Sequence, residues 1–240
     1  MPLPATEVST LMPATTIAPR PRWIQVLEYS ATLCCAVLAA DYLRTARAPE
    51  QWLVLAAAVP AGYLLADLCS GLVHWFGDTF FEEDTPILGT LFIAPFREHH
   101  RDPLALTRHS FGELNGSNCL GVAPLLATAG VFRDEAAEST LALLGLDVLL
   151  TFSLFIAVTN QFHSWAHLPQ VPSLVRWLQR RGLILMPERH LQHHQNGSTS
   201  AYCVTTGWMN RLLDETNLLS ICERTLRAMG LPKTSEASRS

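Results

Sequence analysis

The sequence predicts an all-α protein, a polytopic membrane bundle of about four transmembrane helices with interfacial helices on one side. Three observations carry that expectation. Of the 240 residues, 49% are hydrophobic and only 16% are charged, against about 25% charge in ordinary soluble domains; the mean hydropathy is +0.19. The apolar residues gather into segments of membrane-crossing length rather than the short alternating runs of strands. The Lys and Arg residues, 17 in all, are distributed unevenly about those segments, as the positive-inside rule requires. The same composition excludes a disordered chain, which needs low hydrophobicity and high charge. A net charge of -4 also excludes nucleic acid as a partner, because backbone binding needs clustered positive charge.

The elements follow in order. Residues 1–22, rich in Pro, Ser and Thr and without apolar periodicity, are expected to be a flexible tail. A single membrane domain is expected over 23–228, followed by a flexible tail over 229–240. The first span runs over 23–43, with a charge-free centre between Glu28 and Asp41; the spans that follow favour its retention over removal as a signal peptide. The second, 51–75, is long enough for the roughly 30 Å hydrocarbon layer, and Pro60 is expected to kink it. The third, 118–132, is short and contains glycine, whereas the fourth, 141–162, is long and strongly apolar. Two stretches, 86–95 and 172–186, are too short or too basic to cross. In the latter, Arg176, Arg180 and Arg181 stand against Leu174, Trp177 and Leu178, the pattern of an amphipathic interfacial helix. With both termini cytoplasmic, only Arg44, Arg47 and Arg133 fall outside. Cys34, Cys35, Cys69, Cys119, Cys203 and Cys222 form no CxxC pair and read as small apolar residues without disulfides.

Against this apolar background stand nine histidines, and the topology brings all of them to the cytoplasmic side. His74 ends the second span; His99, His100 and His109 lie in the central loop; His163 and His167 end the fourth span; His190, His193 and His194 follow it. Neutral imidazole is the commonest protein metal ligand. His163 and His167 are four apart, so on a helix they share one face with Cβ atoms about 5–6 Å apart. His190, His193 and His194 repeat that with i, i+3 and i+4 spacing, and His74 with Asp78 gives a further i, i+4 pair. A catalytic zinc takes three protein ligands and a structural one four, so nine imidazoles exceed one closed site and suit a two-metal centre. Imidazole accepts Zn, Cu, Fe and Ni alike, which leaves the metal open. Neither H-E-x-x-H nor GxSxG is present, so hydrolysis loses its usual signatures, and a metal pair at a membrane surface points toward lipid oxidation.

The strings DLCSGLVHWFGDTF (67–80), PFREHHRDPLALTRHSF (95–111), NGSN (115–118), NQFHSWAH (160–167), ERHLQHH (188–194) and YCVTTGWMN (202–210) resemble the Kua/CarF family of membrane lipid desaturases. The resemblance runs in order from about residue 50 to 215. It implies a membrane di-iron enzyme that uses O2 as co-substrate, with two Fe ions held by His74, His99, His100, His109, His163, His167, His190, His193 and His194. Among these the HxxxH box, His163 and His167, and the HxxHH box, His190, His193 and His194, carry the catalytic role, while His99 and His109 are the weakest candidates for direct ligation. In ether-lipid members, plasmanylethanolamine desaturases, a 1-O-alkyl group becomes the 1-O-alk-1'-enyl group of plasmalogens; a plant branch desaturates an acyl chain of phosphatidylglycerol.

Asp78 is either a ligand or an orienting acceptor. Asp67, inside the second span, is expected to pair or to face a cavity. Asn115, Asn118 and Asn160 are expected to cap or turn the chain near the boxes, and Arg97, Arg101 or Arg189 to meet a lipid phosphate or serve only as positive-inside charges. No haem-attachment or dinucleotide signature is present, so an external electron donor of the cytochrome b5 or ferredoxin type is implied, beside the ether phospholipid and the bilayer. The alternatives are an acyl-lipid desaturase or hydroxylase on the same metal core, or a non-enzymatic membrane metal-binding or regulatory protein. A cytoplasmic histidine side also predicts that the sequons at Asn115 and Asn196 stay unglycosylated.

Overall fold

The computed structural model describes residues 21–44, 47–195 and 199–232; the tail segments 1–20 and 233–240 and the sequon at Asn196 lie outside the described residues. Helix α1 spans Arg22–Arg44 and α2 Pro49–Thr79; a π turn at Gly89–Ile93 leads into α3, Ala94–Arg101, and a 3-10 turn at Ala105–Arg108 precedes α4, Phe111–Val131. Then come α5, Arg133–Ala136, α6, Thr140–His167, α7, Ser173–Arg180, α8, Pro187–Gln195, α9, Asn210–Glu215, and α10, Leu218–Ala228. No strand occurs among the described residues.

Local chemistry sets the helix starts. Pro49 opens α2 at a position where its missing N–H costs nothing. Ser110 caps α4 in a reciprocal box with Glu113, whose carboxylate accepts from Ser110 N at 3.0 Å. Ser139 caps α6 by accepting from Ala142 N. Pro60 is carried inside an uninterrupted α2.

Among the described residues, α1, α2 and α6 are long and apolar enough to cross a membrane. The expected third span, 118–132, is helical within a longer α4 that starts at Phe111 and carries Glu113, Asn115, Ser117 and Asn118 in its first turns, so it is less apolar than α1, α2 and α6. It packs between α1 and α6, while α6 packs on α2.

These contacts are made by small residues. Ala31, Cys35 and Ala39 of α1, Ala58 and Ala66 of α2 and Ala129 of α4 are buried, whereas Leu33, Val37, Leu53 and Leu141 face outward. That inversion is what lipid permits: outward Leu and Val cost nothing in hydrocarbon, and small residues let backbones approach closely. At Gly62 the approach is such that a Cβ would lie 2.6 Å from Phe152 N. The asparagines tie α4 to α6 rather than turning the chain. Asn118 Nδ2 donates to Ile156 O at 2.9 Å, Asn160 Nδ2 to Leu114 O at 2.8 Å, and Asn115 Oδ1 accepts from Gln161 N at 3.2 Å.

The chain order puts the C-terminal ends of α2 and α6 beside the N-terminal ends of α1 and α4, and all the histidines lie at that end. Arg44, Arg47 and Arg133 lie at the other. There Asp147, fully buried in α6, takes a bidentate pair from Arg47 at 2.8 and 3.0 Å and the Tyr42 hydroxyl at 2.8 Å. The pairing is how an acid inside an apolar helix is tolerated. On the histidine side α7 leaves Leu174 and Trp177 exposed beside Arg181, whose guanidinium lies 5.6 Å from the Trp177 ring, as an interfacial helix requires. The six cysteines are free; Cys34 is exposed on the outer face of α1, so it is a surface residue rather than a buried one.

Candidate metal centre

The last two turns of α2 and α6 project His74, Asp78, His163 and His167 beyond the packed bundle. Helices α3 and α8 close over them with His99 and His100, and with His190, His193 and His194. Among the described residues three groups have the character of metal sites: His74, Asp78, His100 and His193; His99, His190 and His194; and His163, His167 and His190, each with its candidate ligand atoms within 4.8 Å of one another.

In the first group Asp78 Oδ2 is the hub, 3.0 Å from His100 Nε2 and 3.4 Å from both His74 Nε2 and His193 Nε2. The other ring nitrogens are committed. His74 Nδ1 donates to Tyr202 O at 3.0 Å and His193 Nδ1 to Ser200 O at 2.8 Å, which fixes the tautomer and turns each Nε2 lone pair toward Asp78. In the other groups His190 Nε2 is approached by His163 Nε2 at 2.8 Å and by His167 and His194 Nε2 at 2.9 Å each. One imidazole nitrogen offers a single proton or a single lone pair and cannot bond to three others, whereas a cation among them satisfies all four. His74 Nε2, His99 Nε2, His190 Nδ1 and Asp78 Oδ1 are buried without a hydrogen-bond partner. Orphaned donor atoms of this number, all around one cluster, fit a metal centre.

Burial, reinforced by neighbouring rings, keeps His99, His190 and His194 in the ligating neutral form. Desolvation and then His100 and His74 hold His99 well below the usual imidazole range. Desolvation and then His167 and His99 do the same for His190, and desolvation followed by His100 brings His194 down to about 3.

Of the nine histidines singled out by sequence, eight converge. Adjacent His99 and His100 both face the cluster, their ring centroids 4.1 Å apart, because α3 runs across the bundle end. His109 belongs to none of the three groups; its Nδ1 lies 4.0 Å from Glu113 Oε2. It lines instead, with His99 and His163, an open cavity beside the cluster.

Asp67 does not touch the histidines. Its carboxylate accepts from Thr206 N, Gly207 N and Met209 N at 2.7, 2.9 and 2.9 Å, Ser70 Oγ accepts from Val204 N at 3.1 Å, and Gly71 leaves room for Cys203. Together they clamp residues 202–209 onto α2 and so bring Tyr202 O to His74. Three arginines proposed for a lipid phosphate are engaged by the protein. Arg97 is buried and donates to Phe80 O and Phe81 O, Arg101 pairs with Glu83, and Arg189 donates to Thr206 O at 3.0 Å. Sequence reasoning missed the orienting carbonyls of Ser200 and Tyr202, signalled only by the YCVTTGWMN string, and the buried carboxyl of Glu28, which lines the cavity from inside α1.

Comparison with known proteins agrees with the resemblance. The lipid desaturase domain family matches residues 63–234. A plasmanylethanolamine desaturase of Myxococcus xanthus is 42% identical over 173 residues, 72% of this chain and 60% of that protein. Plasmanylethanolamine desaturase 1 of Mus musculus is 41% identical over 191 residues, 77% of this chain and 70% of the relative. The chloroplastic fatty acid desaturase 4 of Arabidopsis thaliana is 35% identical over 165 residues, 68% of this chain and 49% of the relative. The chain thus spans 60% of the length of the bacterial relative. No solved structure matches significantly. Because the matched segment covers more than half of the chain and carries the two long histidine-bearing helix ends and the cap that closes on them, the chain belongs to the lipid desaturase domain family.

Proposed function

We propose that this protein is a di-iron, O2-dependent membrane lipid desaturase that converts a 1-O-alkyl (plasmanyl) ethanolamine phospholipid to its 1-O-alk-1'-enyl form, with its histidine end facing the cytoplasm. The convergence of eight histidines and Asp78 in three ligand groups, at one end of a bundle of apolar helices, carries the reading. The names of the bacterial and mouse relatives support the ether lipid as substrate.

An alkyl C–H beside an ether oxygen is far too weak an acid for a side-chain base. Two iron ions held by these groups would supply the O2-dependent oxidation that side chains lack. The protein's own residues do the rest. Asp78 and the Nε2 atoms present a fixed set of neutral and anionic donors. The carbonyls of Tyr202 and Ser200 hold two rings in register, and the outward Leu and Val of the spans let a lipid chain lie against the bundle. Desaturation by O2 to two waters consumes two electrons beyond those from the substrate, which a cytochrome b5 or ferredoxin type donor would deliver.

Expression in a plasmalogen-free host should yield acid-labile vinyl ethers in the extracted lipids. Finding a hydroxylated ether, a new acyl double bond or no new lipid instead would overturn the ether-desaturase reading. The divided fate of the loop histidines gives a second expected result. His99→Ala should lower the iron content of the purified protein, while His109→Ala should leave it at the wild-type level, read by metal analysis. Equal iron loss in both variants would place His109 among the ligands.

A further inference from the structure

The cavity beside the cluster has two kinds of wall. Phe92 and Phe96, with ring centroids 4.9 Å apart, form an aromatic side, and Glu28, Glu98 and Glu113 place three carboxyl groups around the rest. Among the described residues no Lys or Arg lines it. It is not an acidic patch alone, because His99, 2% exposed and with no partner on Nε2, forms part of the wall, so the space opens onto the candidate ligands.

This lining selects among ligands. A phosphate would meet three carboxyl groups and no Lys or Arg. A divalent metal ion would want oxygen ligands on every side, which phenyl rings do not offer. A primary ammonium on a short organic chain suits both walls: its N–H groups donate to carboxylates and its charge is attracted to aromatic faces. Glu113 is already oriented, its Oε1 accepting from Gln25 Nε2 at 3.2 Å and its Oε2 from Ser110 N at 3.0 Å.

We propose that this cavity seats the ammonium of the lipid headgroup, with Glu98 and Glu113 as the residues that select a primary ammonium over an anionic headgroup; the assignment rests on the desaturase reading. Equilibrium binding to the detergent-purified full chain tests it, with a 1-O-alkyl lysophosphoethanolamine and the chain-matched lysophosphoglycerol as probes. Wild type should prefer the ethanolamine lipid about tenfold, of the order of one desolvated charge pair. Glu98→Gln should reduce the preference, and the double variant with Glu113→Gln should abolish it; Gln still completes the capping box at 113, so α4 is kept. No preference in wild type, a tenfold preference surviving in the double variant, or displacement of the ethanolamine lipid by millimolar calcium would overturn the assignment. Vinyl-ether formation, measured in parallel on wild type, separates the two ideas. Turnover without headgroup preference sinks only the headgroup site, and preference without turnover sinks only the desaturase.

Discussion

His190→Ala is expected to reduce vinyl-ether formation about 100-fold or more and to remove iron from the purified protein. Partners that merely orient a ligand cost about 10–100-fold when lost, and His190 does more than orient. It is the residue common to two of the three groups, and its Nε2 lies within 2.9 Å of three other imidazole nitrogens. Truncation also leaves His163, His167 and His194 facing one another without the nitrogen at their centre. The helix itself should survive, because Ala is a better helix former than His and α8 is held by Pro187 at its start and by Arg189 on Thr206 O. Metal analysis, lipid product analysis and circular dichroism on the same preparation would check this. Full iron and full activity in the variant would refute the proposed centre, and so would the same outcome for His194→Ala.

Asp67→Ala is expected to act through the fold. Its carboxylate is the acceptor for two buried backbone amides, of Thr206 and Gly207, and for the partly buried amide of Met209, and each buried donor left unsatisfied costs about 1–3 kcal/mol. A total of roughly 3 kcal/mol or more corresponds to a fall of about 6–12 °C in the unfolding midpoint of a domain of this size. Release of residues 206–209 should also loosen Tyr202 and Ser200, whose carbonyls hold His74 and His193, so iron should be lost although no candidate ligand has changed. Asp67→Asn keeps one acceptor oxygen and should fall between wild type and Asp67→Ala. Thermal unfolding in detergent with and without added iron checks this; an unchanged midpoint in Asp67→Ala would show that the clamp is dispensable.

The contrast between these two aspartates shows how far the sequence could be read. Both lie on α2, eleven residues apart, and both stood out as acids in or near an apolar span. Spacing linked Asp78 to His74, since i, i+4 positions share a helix face wherever the helix lies. Nothing local linked Asp67 to residues 206–209, because that contact joins chain positions about 140 apart. The same division explains His99 and His109. As neighbours in one loop they looked equally doubtful, and only the path of α3 across the bundle end turns His99 inward while His109 lines the cavity. Of the third span only the apolar half was legible in the sequence, because the asparagines of its polar half were not recognisable as bonds to α6.

The sequence by itself determined the helical class, the long apolar segments, the position of the histidines at their ends and the likeness to membrane lipid desaturases. Those follow from composition, period and order, which are written along the chain. Only the tertiary structure decided which side chains meet: the sharing of His190 between two groups, Asp78 among three imidazoles, the arginines engaged inside the protein, and the carboxylate-lined cavity beside His99. Such meetings depend on how helices distant in sequence approach in space, and that approach is set by small residues whose effect appears only once their packing partners are in place.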